Sequence, residues 1–163
     1  LAFFIPKNKK LNKQMNWHIK TFEALTNKEL YEILKIRNEV FIIEQDCHYL
    51  DIDNKDYKAH HIFCINSNER IAAYARLLPK GVSYTQASIG RVATAKAYRR
   101  QEIGIDLMKK SIDFIFNNYE TDSIKISAQT YLLDFYSKFG FAPIGQEYLE
   151  DEIPHIAMIL YNK

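Results

Sequence analysis

The sequence predicts an α/β (α+β) domain with a mixed, mostly antiparallel central sheet of about six or seven strands flanked by helices. Three observations lead there. Segments with two-residue alternation, the mark of strands, are interleaved with segments of three- and four-residue periodicity, the mark of helices. Their order runs βα, then ββ, then β-α-β-α-β-β. At 163 residues, 47% of them hydrophobic, the chain has the size of one domain and can bury a core without disulfide or metal support.

Trp17–Phe22 alternates as the first strand. Thr26-Asn27-Lys28-Glu29 is a capping box, in which the Thr26 hydroxyl accepts from the residue-29 amide and Glu29 reaches back. The helix it starts carries Leu30, Ile33, Leu34, Arg37 and Phe41 on one stripe. Glu44–Asp56 is acidic and without period, hence a loop. His61–Ile65 and Ile71–Leu78 form a hairpin across Asn66-Ser67-Asn68-Glu69. Ala87–Thr94 is the next strand. Ile103–Asn118 is a helix whose Ile105, Met108, Ile112 and Phe116 face the sheet. Ile124–Ala128 is a strand, Leu132–Phe139 a short helix, and Phe141–Gln146 and His155–Tyr161 close the chain as strands. Alternation begins just after Met15, so residues 1–14 are expected to be an N-terminal extension and residues 15–163 a single domain.

Composition narrows the function. A net charge of +2 with no dense basic stretch argues against nucleic-acid binding. No apolar run reaches a membrane span, and no export signal follows the apolar start. Cys47 and Cys64 form neither a disulfide framework nor a metal-ligand spacing, which suits a reducing cytoplasm and no metal. Neither has a His and an acid at a spacing that would activate a thiol.

Chemistry concentrates in Ser88–Met108: a strand, a short turn with Arg99 and Arg100, then a helix start. Unpaired amides at a helix N-terminus, together with its dipole, bind anions. The dipole contributes only about 0.3–1 kcal/mol at a surface, so amides and arginines must act together. Downstream, Leu132, Phe135, Tyr136 and Phe139 make an apolar stripe, and Gly140 suits a left-handed helix stop.

These residues resemble two motifs of the GNAT N-acetyltransferases. Arg99-Arg100-Gln101-Glu102-Ile103-Gly104 is similar to the family's pyrophosphate loop, Gln/Arg-x-x-Gly-x-Gly/Ala, and Tyr136…Gly140-Phe141 to its second motif. From Trp17 onward, Arg37-x-x-Val-Phe-Ile-Ile-Glu-Gln45, Asp51-x-Asp53, Ala75-Arg-Leu-Leu78, Ser88-Ile-Gly-Arg-Val92, Ile126-Ser-Ala-Gln129 and Ile153-Pro-His155 resemble the ElaA-like branch, with His48 where that branch often has Pro. Glu102 departs from the loop pattern at its first glycine. Backbone amides do the binding there, so Glu102 fits if the turn keeps a negative φ and the side chain points away.

The resemblance implies an acetyltransferase in which an amine attacks the thioester of acetyl-CoA directly. The two central strands, Ser88–Thr94 and Ile124–Ala128, would splay around the pantetheine arm. The implied cofactor-binding residues are Val92, Ala93, Thr94, Arg99, Arg100, Gln101, Glu102, Ile103, Gly104, Ile105, Gln129 and Tyr136. Gln129 has a second role open to it, capping the helix that follows. Tyr136 is the candidate donor to the leaving thiolate and Glu44 the first candidate base. Arg37, Glu44, Asp51, Asp53 and His155 are candidate contacts to the amine, and His155 is the best placed of the alternative bases His60, His61 and His155. Arg37, on the apolar stripe, either snorkels to water or pairs with a carboxylate.

Two other readings stay open: a GNAT module that senses acetyl-CoA without turnover, and an acyltransferase like the acyl-homoserine-lactone synthases. The acceptor is a small-molecule or protein amine. Edge strands allow a homodimer.

Overall fold

The computed structural model describes residues 15–163, and the expected extension at residues 1–14 lies outside them. The elements are β1 (Asn16–Thr21), α1 (Asn27–Arg37), β2 (His60–Ile65), β3 (Ile71–Leu78), β4 (Ala87–Thr94), α2 (Ile103–Asn118), β5 (Ser123–Gln129), α3 (Leu133–Ser137), β6 (Ala142–Glu150) and β7 (Ile153–Tyr161). They build a seven-stranded sheet in the order β1-β2-β3-β4-β5-β7-β6. Only β4 and β5 run parallel. The predicted mixed, mostly antiparallel sheet is the observed one.

Burial explains the order. Every residue of β3 is buried, as its near-continuous apolar run requires of a central strand covered on both faces. Alternation then sends side chains to two cores. Phe63 of β2 and Tyr74 of β3 meet Ile33, Ile36 and Val40 on one face. Ile62, Cys64, Ala73, Ala75 and Leu77 meet Leu107, Met108 and Ile115 of α2 on the other. A fully buried leucine such as Leu107 contributes about 1.5–3 kcal/mol. All of β6 is exposed, and Pro143 is tolerated there because an edge strand has amides to spare.

The Thr26 capping box forms with both reciprocal bonds, Thr26 Oγ1 from the Glu29 amide at 3.1 Å and Glu29 Oε2 from the Thr26 amide at 2.9 Å. Two local expectations are corrected. The buried face of α2 centres on Ile103, Leu107, Met108, Ser111 and Ile115, while Ile112 and Phe116 only flank it. Ser111 concealed that seam, because its hydroxyl is satisfied within the helix by the Leu107 carbonyl at 2.7 Å. The segment from Glu44 to Asp56 is not wholly loop: α1 continues as a π-type helix over Asn38–Glu44, and Lys55–Lys58 forms a 3₁₀ turn.

Candidate active site

A cleft opens where β4 and β5 part. The two strands pair only at Ala87↔Ile124 and Ser88↔Lys125. Beyond that point each keeps its outer neighbour, β3 or β7, and leaves its inner backbone edge free. A bulge drives the divergence. Tyr74 pairs with Ala93 and Arg76 with Gly90, so Arg91 and Val92 together face Ala75. Arg91 sits there at φ 53°, in the left-handed region. The resulting cleft encloses ≈ 800 Å³.

One end of the cleft is the turn before α2. Val92, Ala93, Thr94, Arg99, Arg100, Glu102, Ile103, Gly104 and Ile105 all line it. The Ile105 and Asp106 amides bond the Glu102 carbonyl, and no side chain caps the helix, which leaves the Ile103 and Gly104 amides to meet an anion. Glu102 corrects one expectation: it holds φ 62°, as does Arg100, so the turn does use the left-handed conformation that glycine adopts without strain. Glu102 is exposed to solvent and still lines the cleft.

Arg99 is organised by three bonds. Its Nε donates to the Thr94 carbonyl at 3.1 Å, and its Nη1 and Nη2 donate to Glu44 at 2.6 and 3.0 Å. Arg99 holds the Glu44 carboxyl below the usual carboxylate range. That weighs against Glu44 as first candidate base: a carboxyl paired with Arg99 and lowered further is poorly matched to taking a proton near neutral pH.

Tyr136 lines the middle of the cleft and is 8% exposed. Phe135 and Phe141 pack edge-on against its ring, at 5.2 and 6.2 Å between centroids. Burial, with Tyr131 nearby, pushes its phenol up to about 12. Gly140 ends the short helix at φ 94°, and a Cβ there would stand 3.1 Å from Leu160.

His155 lines the cleft from β7 and is nearly buried, stacked on Tyr148. Its Nδ1 lies 2.7 Å from the Ile153 carbonyl. A carbonyl only accepts, so Nδ1 carries the proton and, in the neutral ring, Nε2 keeps a lone pair.

A family model described as the acetyltransferase (GNAT) domain matches residues 18–161. The chain belongs to the GNAT family. Protein ElaA of Escherichia coli is 34% identical over 145 residues, which are 88% of this chain and 95% of that one. The crystal structure of E. coli ElaA matches with TM-score 0.81 at 36% identity, over 88% of this chain and 98% of that one. An acyl-CoA N-acyltransferase from Pseudomonas aeruginosa matches with TM-score 0.83 at 36% identity, over 89% of this chain and 98% of that one. At the level of the family, the function of the chain is acyl transfer.

Within this GNAT domain, three expected site residues lie away from the cleft. Gln101 is exposed and bonds the Ala97 carbonyl at 3.1 Å. Arg37 and Asp51 are buried in a charge network under the cleft. Arg37 donates to Asp51 at 2.8 Å and Asp56 at 2.7 Å, and Asp51 also takes Arg91 at 2.7 Å and the Tyr49 hydroxyl at 3.2 Å. Those partners use up both charges, so neither residue is left to meet an amine. Asp53 lines the cleft, held by both Arg76 nitrogens at 2.7 and 2.9 Å. Gln129 lines it too and bonds Gln45 at 3.2 Å; its capping role is corrected, since its side chain caps no helix.

Sequence reasoning missed Tyr49, Lys55, Ser83, Tyr84 and Ser127, all of which line the cleft. No local pattern marks them, because each comes from a loop or from an otherwise ordinary strand. Burial and the carboxylates of Asp151, Glu152 and Asp46 push the Cys47 thiol up, consistent with the expectation of no thiol nucleophile.

Proposed function

We propose that this protein transfers the acetyl group of acetyl-CoA to the nitrogen of an amine by direct attack, with no covalent enzyme intermediate. The observation that carries the reading is the parting of β4 and β5 after Ser88 and Lys125, with Tyr136 and His155 lining the same cleft. The residues present fit the donor. The free inner edge of β4 offers amides and carbonyls to an extended amide-bearing arm, as an added strand would. The free amides of α2, Arg99 and Arg100 suit a diphosphate. Acetyl-CoA supplies a thioester whose acyl carbon is open to a nitrogen nucleophile.

Each remaining role belongs to a side chain. His155 Nε2 takes a proton from the amine as the C–N bond forms, directly or through one water. Tyr136 donates a hydrogen bond to the sulfur as the C–S bond breaks. Its phenol, pushed up to about 12, keeps its proton against a thiol of ordinary pKa about 8.5, so stabilisation of the developing thiolate outweighs full proton transfer. Alignment of the two reactants contributes up to ~7–11 kcal/mol in ideal cases. Both cysteines are free and buried, and a reducing cytoplasm is part of the same reading.

The test is calorimetric titration with acetyl-CoA, followed by thiol release across a panel of amines. Saturable binding and amine-dependent release support the reading. Binding without release on any amine would favour a sensing module, and no binding up to millimolar acetyl-CoA would sink the reading.

A further inference from the structure

We infer that the acceptor is an amine that also carries a carboxylate, bound as a zwitterion between Glu150 and Lys55. This rests on the acetyltransferase reading and names its substrate class. Five of the charged residues lining the cleft are already matched: Glu44 with Arg99, and Asp53 with Arg76 and Arg91. Away from the diphosphate end, Lys55, Glu150 and Asp151 line the cleft with no opposite charge within 4.0 Å among the described residues.

Each pole is held by a serine hydroxyl. Lys55 Nζ donates to Ser83 Oγ at 2.9 Å, which leaves two of its three donors free. Lys55 is partly buried, so a cationic acceptor without an anionic group would leave that ammonium desolvated and repelled. Glu150 Oε2 accepts from Ser127 Oγ at 2.8 Å, with its other oxygen open to an ammonium. Tyr84, next in sequence to Ser83, also lines the cleft, and burial, then Tyr148 and Glu150, push its phenol up. Lys125, whose Nζ lies 4.7 Å from the Tyr84 ring centroid, is engaged by that ring and does not line the cleft. The ammonium first gives one proton to solvent water, the neutral nitrogen then attacks, and His155 Nε2 takes the second proton as the C–N bond forms, while the carboxylate stays on Lys55.

The experiment compares kcat/KM for matched sets with acetyl-CoA as donor. Each set holds an α-, β- or γ-amino acid, its carboxamide and its decarboxylated amine. The best acceptor is expected to carry a carboxylate, with at least about a tenfold preference over its own carboxamide. Lys55→Met is expected to bring that ratio to about one, Lys55→Arg to keep it, and Lys55→Glu to reverse it. Acetyl-CoA titration of each variant reports whether it has folded. Equal or better use of the uncharged partners, or a ratio unmoved by Lys55→Met, overturns the inference and leaves the acetyltransferase standing. Bound acetyl-CoA with no transfer to any amine overturns both.

Discussion

Arg99 grips both carboxylate oxygens of Glu44, at 2.6 and 3.0 Å, while its Nε holds the carbonyl of Thr94. The pair joins the end of the α1 extension to the end of β4, at the diphosphate end of the cleft. A negative charge thus stands beside the site proposed for a negative ligand. Glu44→Gln is expected to tighten acetyl-CoA binding by about two- to fivefold, the size of one partly exposed ion pair. Arg99→Ala should weaken it by more, and added salt should reduce both effects. Calorimetry at two ionic strengths checks this, and weaker binding by Glu44→Gln would show that Glu44 positions Arg99 instead of competing for it.

Tyr136→Phe removes one hydroxyl from a ring that Phe135 and Phe141 continue to hold. The expected result is a fall of about 10²-fold in kcat with acetyl-CoA affinity kept within about twofold. The phenol stays protonated up to about pH 12, so Tyr136 adds no alkaline limb to the rate profile below about pH 11. A Tyr136→Phe variant with wild-type kcat would remove this residue from the mechanism.

Glu102 occupies a left-handed position at φ 62° with an exposed side chain. A non-glycine residue there costs about 1 kcal/mol relative to glycine. Glu102→Gly is therefore expected to raise the melting temperature by about 2–4 °C and to tighten acetyl-CoA binding modestly by removing a nearby negative charge. Thermal unfolding with and without acetyl-CoA separates the two gains. A lower melting temperature would mean that the turn draws stability from the Glu102 side chain.

Arg37 is fully buried and bonds Asp51 and Asp56, and Asp56 also meets Arg76 at 3.2 Å. Removing the cation leaves two buried carboxylates with one arginine each, Asp51 with Arg91 and Asp56 with Arg76. Arg37→Met should cost about 3–5 kcal/mol, lowering the melting temperature by about 10 °C, and adding Asp51→Asn should recover part of it. Chemical denaturation of the single and double variants measures the coupling. Additive losses would show that the network is not a unit.

Burial pushes the phenols of Tyr49, Tyr119 and Tyr136 up to about 12 and that of Tyr74 higher still. In the unfolded chain they ionise near pH 10, so above that pH the unfolded state binds fewer protons than the native one. Stability is complete below about pH 10 and falls as pH rises toward 12. His61 gives the opposite sign: burial lowers its pKa, so acidification below about pH 6.5 protonates the unfolded chain first and also destabilises the fold. Denaturant midpoints from pH 5 to 11 should trace a plateau with both edges, and a midpoint that climbs above pH 10 would contradict the alkaline one.

Much of this molecule could be read along the chain, because the signals are local. Alternation placed β1, the turn after Ile65 placed β2 and β3, and the Thr26–Glu29 box placed the start of α1. Arg99, Arg100 and the helix start that follows make up the proposed anion site within a few residues, so their neighbourhood is settled by sequence distance alone. Tyr136 and Gly140 were visible for the same reason, as neighbours on one helical turn and its stop. The seam of α2 was harder, since a polar Ser111 satisfied by its own helix looks the same as an exposed one.

Contacts between distant segments were another matter. Glu44 meets Arg99 across 55 residues, and Arg37, Arg76 and Arg91 arrive from α1, β3 and β4 to share three aspartates of one loop. In sequence Glu44, Asp51 and Asp53 were all candidates for the amine, with Glu44 the first, and Asp56 carried no mark. Folding decided which were neutralised and which were left open, because the distance between two charges sets whether they pair. The sequence alone determined the strands and main helices, the family motifs and the turn proposed to bind an anion. Only the tertiary structure, by setting distances between charges far apart in the chain, took Arg37 and Asp51 out of the cleft and left Lys55 and Glu150 within it.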